Sequence, residues 1–394
     1  MTALNLLKDL ISIPSVNPMG RDLTGPEFFE TRLSDYLEQL FRRLDVYHER
    51  IELAPGRANV IARLDSPGAR STVLLDAHQD TVPTDGMVIP PFDPVVKDGR
   101  IYGRGACDIK GGMAAMLAAF VRLVQERPAG AANVIMSCTC DEESTSIGIR
   151  DLVKMWPDPS RRGRLFPQAP DVAIIAEPTS LDVVVAHRGA TRWKIRTTGR
   201  ACHSSRPTDG VNAIYRMAKI VSCLEEYAEV LPRTTPAHPL CGPATLSVGV
   251  IQGGSSVNVV PDGCTIDIDR RVIPGEDGHV AMQQVETYLR QRINFDFEML
   301  PPWIAGATLS DDANGSLADR LIQHIAPVAG TKKKIGVAYG THASRTAAAG
   351  VPSVVFGPGS IDQAHTKDEW LPIDELEQAS QIYFRFCANV PTAQ

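Results

Sequence analysis

This sequence has no features of a disulfide scaffold, a membrane span or a basic surface, and each absence excludes a class of protein. Its eight cysteines among 394 residues form no CxxC pair, which argues against a disulfide-rich domain or a zinc knuckle. No stretch approaches the roughly 20 apolar residues of a membrane helix, and the N-terminal segment lacks the pattern of a signal peptide. A net charge of −6 disfavours nucleic acid and anionic membranes as partners. We therefore expect a cytoplasmic protein that binds neither.

Two kinds of hydrophobic pattern divide the chain, whose length predicts about two or three domains. Residues 1–184 and 301–394 combine amphipathic helices with nearly continuous apolar runs such as STVLLDAH and PDVAIIAEPTS. Such runs between helices are typical of buried strands, so these segments predict an α/β catalytic domain with a mostly parallel sheet. Residues 185–300 alternate apolar and polar positions around a long amphipathic helix, which predicts antiparallel strands. A smaller α+β domain is therefore expected as an insertion in the larger one.

Five apolar runs each lead to an acidic or histidine residue. These residues are His78, Asp108, Glu143, Glu177 and His365. Open parallel sheets bind ligands at the carboxyl ends of their strands, so we expect all five side chains at one edge of one sheet. Any one of them alone would be an ordinary capping or turn residue. Together they need a cation, and imidazoles with carboxylates suit catalytic zinc, with cobalt or manganese as substitutes.

Two short motifs near these residues predict further roles. In the HxD motif, His78 and Asp80 project to one side of a strand end, so Asp80 is expected to accept the imidazole N–H and fix its tautomer. In the doublet Glu142–Glu143, two adjacent carboxylates on an extended chain cannot face the same metal. This favours one ligand and one general base. Two bridged metals would bind a hydroxide and polarise a carbonyl, and the free glutamate would pass the proton to the leaving amine.

Segments that carry these motifs cover nearly the whole chain. They are AHQDTVP (77–83), DGRIYGRGACDIKGG (98–112), DEESTSIG (141–148), AEPTS (176–180), ACHSSRPTDGVNAI (201–214), NVVPDG (258–263) with Arg271, and GPGSIDQAHTKDEW (357–370). In this order they resemble the acetylornithine deacetylase / succinyl-diaminopimelate desuccinylase family of metallohydrolases, which also contains aminoacylases, glutamate carboxypeptidases and dipeptidases. GPGSIDQAH and YGTHAS are most similar to the acetylornithine deacetylase branch.

The resemblance implies a division of roles around two zinc ions per subunit. His78 and Glu177 would hold one ion, Glu143 and His365 would hold the other, and Asp108 would bridge them. Asp80 would orient His78. Glu142 would be the general acid/base.

The resemblance also implies that the inserted domain forms a homodimer or a lid. Its His203 would help to stabilise the oxyanion, while Asn258 and Arg271 would contact the substrate carboxylate. From the residues alone, the His203 loop could equally be a helix cap, and Arg271 could lie on a solvated face. Two positions depart from the family pattern, namely Gln79 between His78 and Asp80, and His342 where many relatives carry an acidic residue.

The function expected from this resemblance is hydrolysis of the amide of an N-acyl-amino acid. Deacetylation of N-acetylornithine, a step of arginine biosynthesis, is the most specific expectation. An N-succinyl-diaminopimelate desuccinylase and a dipeptidase or carboxypeptidase remain alternatives with the same metal ligands. A single-metal enzyme also remains open. An inactive dimeric binding protein would lack a ligand or the base, and all of these are present here.

Overall fold

The computed structural model describes residues 1–389, which divide into two units. The larger unit contains Met1–Val185, Asp311–Ile335 and the described chain from Thr341, and the smaller unit contains Ala186–Ser310 and Gly336–Gly340. Residues 390–394 of the predicted catalytic domain lie outside the described residues. Within residues 1–389, every helix is too short or too polar to cross a membrane.

Both units of the described chain contain helices and strands. The helices are α1 (Ala3–Ser12), α2 (Thr31–Arg43), α3 (Lys110–Glu126), α4 (Ile147–Leu152), α5 (Ala213–Thr234), α6 (Gly278–Arg290), α7 (Gly315–Ala329), α8 (Ala343–Ala348) and α9 (Ile373–Ala388). The strands are β1 (Tyr47–Ala54), β2 (Arg57–Leu64), β3 (Thr72–His78), β4 (Val95–Lys97), β5 (Arg100–Tyr102), β6 (Asn133–Thr139), β7 (Val172–Ile175), β8 (Val183–His187), β9 (Gly189–Thr198), β10 (Cys202–His203), β11 (Thr245–Gly253), β12 (Val259–Val260), β13 (Gly263–Val272), β14 (Phe297–Met299), β15 (Ile304–Ala305), β16 (Lys334–Val337), β17 (Ser353–Val355) and β18 (Trp370–Pro372).

The large sheet has the strand order β1-β2-β6-β3-β7-β17-β8-β16. Its central strands β6, β3, β7 and β17 run parallel, whereas β1, β2 and β8 pair antiparallel with their neighbours. Every residue of β3 is buried, as the continuous apolar run predicts. Helix α3 packs against α1 and α9. The expected α/β fold is confirmed, with the parallel strands at its centre.

The smaller unit is built on an antiparallel sheet in the order β11-β13-β9-β14, with β15 also on β9. Side chains of β9 and β13 alternate between buried and less buried positions, which agrees with their alternating sequence. Helix α5 begins where the Asn212 side chain accepts the N–H of Tyr215. It buries Met217, Ile220 and Leu224 in the core of this unit.

The boundary after the smaller unit differs from the sequence-based prediction of 300/301. Residues 301–310 belong to the smaller unit, because Ile304 and Ala305 pair with β9 and Leu309 bridges to His187. Gly336–Gly340 belong to it as well. Strand β15 has only two residues, so its pairing leaves no periodic pattern in the sequence.

Candidate metal centre

Three adjacent parallel strands bring part of the predicted ligand set to one edge of the large sheet. His78 is the last residue of β3, and it pairs with Thr139 at the end of the neighbouring β6. The Glu142–Glu143 doublet follows β6 closely, and Glu177 follows β7 on the other side of β3. Because these strands share one direction, their carboxyl ends lie together, as the sequence predicts for these residues.

Asp108 and His365 reach the cluster by another route, which corrects the expectation that all five residues end strands of one sheet. Asp108 lies in a turn between β5 and α3, and β5 pairs with β4 and β18 in a separate three-stranded sheet. The run RIY is three residues long and only its central residue is buried, so it does not form a core strand. His365 follows a short helical turn at Ile361–Gln363, and its φ of 60° lies in the left-handed region.

The carboxylate of Asp108 lies between two imidazoles. Its Oδ1 is 3.3 Å from Nε2 of His78, and its Oδ2 is 3.2 Å from Nε2 of His365. The same His365 nitrogen is 3.2 Å from Oε1 of Glu143. One potential ligand atom each from His78, Asp108 and Glu143 lies within 4.8 Å of the others. This spacing allows one ion to contact several of these atoms at once.

The two histidines are electrostatically matched to these carboxylates. Burial lowers the pKa of His78, but its contacts with Asp108 and Asp80 outweigh burial and raise that pKa well above the ordinary value. Contacts with Asp108 and Glu143 raise the pKa of His365 to about 10. Burial raises the pKa of Asp108, but the two imidazoles outweigh it and lower that pKa. Positive charge is therefore favoured beside Asp108.

The remaining carboxylates repel one another. Burial and the charge of Asp108 raise the pKa of Glu143 to about 8 and raise that of Glu177 well above its ordinary value. Burial also raises the pKa of Glu142. Within the described residues, the side chains of Glu142 and Glu177 form no ion pair with lysine or arginine. Crowded carboxylates with two imidazoles are a donor set that a pair of divalent cations fits.

Asp80 contacts both His78 and the backbone of the glutamate doublet. Nδ1 of His78 lies 2.9 Å from the backbone carbonyl oxygen of Asp80 but 3.5 Å from its carboxylate, so the carbonyl is the closer partner. The carboxylate of Asp80 instead accepts the N–H groups of Glu142 (3.0 Å) and Glu143 (3.1 Å). The doublet therefore lies in a turn, not on an extended chain, with consecutive N–H groups around one anion. Burial raises the pKa of Asp80, but His78, Asn17 and this turn together lower it to about 2.

A second layer behind Asp80 was not predicted from the sequence. Nδ2 of Asn17 donates to Asp80 (2.8 Å) and to Asp141 (2.9 Å). Arg57 pairs with Glu30 at 2.7 Å and with Asp141 at 3.0 Å. Burial and the charge of Asp80 raise the pKa of Glu30 to about 8, although Arg57 opposes this. The only sequence signal for this layer is the run SVNP, which carries Asn17 after an apolar helix.

Glu369 was also missed, although it lies in the segment that carries His365. Its buried carboxylate accepts the N–H groups of Gly105 (2.9 Å), Cys107 (2.8 Å) and Asp108 (2.9 Å). It also pairs with Arg104 at 2.7 Å. One side chain thus fixes the turn that presents Asp108. The signal that could have found it is the acidic pair in KDEW, three and four residues after His365.

Glycine and glutamine positions complete the packing around the cluster. A Cβ atom at Gly357 would lie 2.6 Å from the carbonyl oxygen of Glu177, so this loop can pack on the Glu177 backbone only with glycine. The buried Gln79 donates to the carbonyl oxygens of Ala58 and Cys138 and accepts from Ser34. Gln79 therefore ties neighbouring strands together, and this explains a residue that departs from the family pattern.

The three predicted residues outside the cluster lie in the smaller unit. His203 and Asn258 are neighbours there, because the N–H of Ser204 donates to the carbonyl of Asn258 at 3.0 Å. Nδ1 of His203 lies 2.8 Å from Oγ of Ser205. Arg271 is separate, on β13, and donates to Asp269 at 2.7 Å. The structure thus brings His203 and Asn258 together, and places Arg271 on another strand of the same unit.

Residues 74–389 match the model of a known family, Peptidase family M20/M25/M40. The chain belongs to this family. It is 31% identical over 394 aligned residues to an acetylornithine deacetylase of Vibrio campbellii, and the alignment covers 97% of each protein. The expected family is therefore confirmed, and the M20 chain is a hydrolase that acts on amide bonds.

Solved structures of the M20 family share this fold. A metallo-carboxypeptidase from Sulfolobus solfataricus has a TM-score of 0.76 at 19% identity, with 98% of each chain covered. A dinuclear metal-binding peptidase from Bacillus subtilis has a TM-score of 0.69 at 16% identity, covering 98% of this chain and 96% of that one. At such identities these structural similarities establish the fold only. The evidence for metal-dependent amide hydrolysis is the family match.

Proposed function

We propose that this enzyme removes the acyl group of an N-acyl-amino acid at a centre of two divalent ions. The observation that carries the proposal is the Asp108 carboxylate between the imidazoles of His78 and His365, with Glu143 against the second imidazole. His78 and Glu177 would hold one ion, Glu143 and His365 the other, and Asp108 would bridge them. Zinc suits these nitrogen and oxygen donors, and cobalt or manganese could substitute.

Glu142 is the proposed proton carrier. Bound metal would polarise the amide carbonyl and lower the pKa of a water molecule. Glu142 would take a proton from the water whose oxygen adds to the amide carbon, and would deliver it to the nitrogen as the C–N bond breaks. Two features support this role: burial raises its pKa towards that of a useful acid, and Asp80 holds its backbone beside the metal ligands.

The substrate proposed first is N-acetylornithine, because the curated relative from Vibrio campbellii is an acetylornithine deacetylase. Cleavage of a C-terminal residue from a short peptide is the second candidate, supported by the carboxypeptidase of the same fold. The decisive comparison measures kcat/KM for N-acetylornithine, N-succinyl-diaminopimelate and a dipeptide panel. Turnover of dipeptides alone would reject the deacetylase assignment.

The first prediction concerns Glu142→Gln. This change keeps the shape of the side chain and removes its basicity, so we expect kcat to fall by about 10²- to 10⁴-fold. Metal content, measured after purification without added salts, should stay within error of the wild type. Glu126→Gln, at an exposed position on α3, is the matched control and should leave kcat unchanged. Wild-type turnover by the Glu142 variant would refute its role as proton carrier.

A homodimer formed through the smaller unit is also part of the proposal. Its support is the edge strand β11, which is largely exposed and carries Val250 and Ile251 at 43% and 56% exposure. Open edges with apolar side chains are templates for pairing with a second chain. In this proposal His203 stabilises the oxyanion, and Asn258 and Arg271 bind the substrate carboxylate.

A further inference from the structure

A buried histidine–aspartate pair lies beside the candidate metal ligands and has no role in the proposed chemistry. His342, just before α8, is 2% exposed, and its Nδ1 lies 2.8 Å from Oδ2 of Asp76. Asp76 is fully buried on β3. The hydroxyl of Thr139 donates to the other oxygen of Asp76 at 3.3 Å. Asp76 is therefore held by two partners and fixes the orientation of the imidazole.

This arrangement leaves the other ring nitrogen of His342 available. The Asp76 carboxylate accepts the Nδ1 proton, so Nε2 of the neutral ring carries a lone pair. Within the described residues, Nε2 of His342 is buried and has no hydrogen-bond partner. A buried polar atom without a partner destabilises the protein, and such atoms are often kept for a functional contact.

The position of His342 places Nε2 at the border of the metal cluster. Asp76 and His78 are two residues apart on β3, so their side chains share one face of the sheet. The rings of His342 and His78 meet edge to face, with centroids 6.4 Å apart. The carboxyl of Glu142 also lies within electrostatic range of the His342 ring.

The distance between the His342 and His78 rings argues against His342 as another metal ligand. Two imidazoles that share a tetrahedral zinc, each nitrogen about 2.1 Å from the ion, have ring centroids about 5 Å apart. The separation of 6.4 Å from the His78 ring is larger. The proposed ligands and Glu142 serve the scissile amide, which leaves Nε2 for another part of the substrate.

We propose that Nε2 of His342 accepts a hydrogen bond from an N–H or O–H group on the variable part of the bound substrate. This makes His342 a specificity-determining residue and Asp76 the residue that positions it. The inference rests on the proposed function, because it assumes an N-acyl-amino acid in the site. The ligand class it selects carries a donor, such as an amine or hydroxyl, beyond the scissile amide.

Two substitutions at His342 distinguish the contribution of Nδ1 from that of Nε2. The amide of His342→Asn occupies the place of Nδ1, so it keeps a donor for Asp76 and removes Nε2. The amide of His342→Gln extends to the place of Nε2 and retains an acceptor there. His324→Asn, at a half-buried histidine on α7, is the matched control for the change of residue type.

The test measures kcat/KM for paired substrates that differ by one donor group. The pairs are N-acetylornithine with N-acetylnorvaline, and N-acetylhomoserine with N-acetyl-2-aminobutyrate. We expect the wild type to prefer the donor-bearing member of at least one pair. His342→Asn should reduce that preference about 10-fold, the effect of one lost hydrogen bond, and His342→Gln should restore part of it. Metal content and the thermal midpoint of His342→Asn should match those of the His324 control.

Several outcomes would overturn the inference. An equal loss for both members of every pair would mean that His342 supports the fold or holds a water molecule. Loss of bound metal in His342→Asn would make it a ligand. A wild type without preference in either pair would also contradict the inference, whereas a wild type inactive on every N-acyl-amino acid would instead reject the proposed function.

Discussion

Neighbouring residues in this site have opposite surroundings, and Glu142 and Glu143 are the clearest case. Glu143 contacts His365, whereas Glu142, within the described residues, has no side-chain hydrogen bond. Both backbone N–H groups are held by Asp80. A single carboxylate therefore fixes the turn from which one glutamate faces the second imidazole and the other stays available for proton transfer.

Glu30 gives a second prediction at the scale of the residue. Burial raises its pKa to about 8 in the folded chain, against 4.5 for a free glutamate. A raised pKa contributes stability that is complete below about pH 4.5 and is lost as the pH rises towards 8. Glu30→Gln mimics the protonated form. The variant should therefore gain stability relative to the wild type from pH 5 to pH 8, by at most about 1.4 kcal/mol per pH unit.

Denaturant unfolding of both proteins at pH 5, 6, 7 and 8 measures this difference, because all other titrating groups are shared. An ionised Glu30 paired with Arg57 across this range would reverse the result. In that case Glu30→Gln would be the less stable protein throughout this range, and its deficit would stay nearly constant, because Glu30 would be ionised in both the folded and the unfolded chain.

At the scale of elements, the turn between β5 and α3 depends on Glu369, the residue just before β18. Glu369→Gln is the third prediction. The glutamine amide would face backbone N–H donors that need an acceptor, so the turn that carries Asp108 should shift. We expect the affinity for zinc to fall about 10- to 100-fold, as for other residues that support metal ligands. Competition with a chromophoric chelator measures this affinity.

Glu377→Gln, at an exposed position on α9, is the matched control for Glu369→Gln. The visible spectrum of the cobalt form gives a second measurement, because it reports ligand geometry independently of turnover. An unchanged spectrum and unchanged zinc affinity would show that the turn keeps its shape without the Glu369 carboxylate.

The elements also show what the sequence can predict. The apolar runs of β3, β6 and β7 are local patterns, so they predict buried strands and the residues that follow them. The role of Glu369 depends on contacts with backbone N–H groups more than 250 residues away, and a backbone group leaves no signature in the sequence. Similarly, ANVIARL predicts a buried strand but not its antiparallel direction, because burial on both faces removes the alternation that distinguishes the two.

The fourth prediction, at the scale of the whole molecule, is that the enzyme releases protons when it binds metal ions. Without metal, the pKa of His365 is about 10 and that of Glu143 is about 8. The pKa of His78 lies well above its ordinary value. Metal binds only the deprotonated ligands, so binding at pH 7 should release roughly two to three protons and tighten as the pH rises. Calorimetric titration of the metal-free enzyme with zinc in buffers of different ionisation enthalpy measures this. A heat of binding that is independent of the buffer would contradict it.

Assembly through the smaller unit gives the fifth prediction. Ile251→Lys places a charge on the exposed edge strand β11, where it would be buried against a second chain. We expect light scattering after size-exclusion chromatography to show a dimer for the wild type and a monomer for this variant. Val280→Lys, at an exposed position on α6, is the control and should remain dimeric. A wild type that is monomeric at micromolar concentration would contradict the proposed homodimer.

The separation of Glu177 and His365 along the chain has a consequence for biosynthesis. Four of the five proposed ligands are translated before the smaller unit, whereas His365 and Glu369 are translated after it. A nascent chain therefore exposes a partial set of ligands, with the Asp108 turn not yet fixed, while the smaller unit emerges from the ribosome. With these proposed ligands, complete loading with metal would occur only after the smaller unit has been made, so the insertion would set the order of maturation.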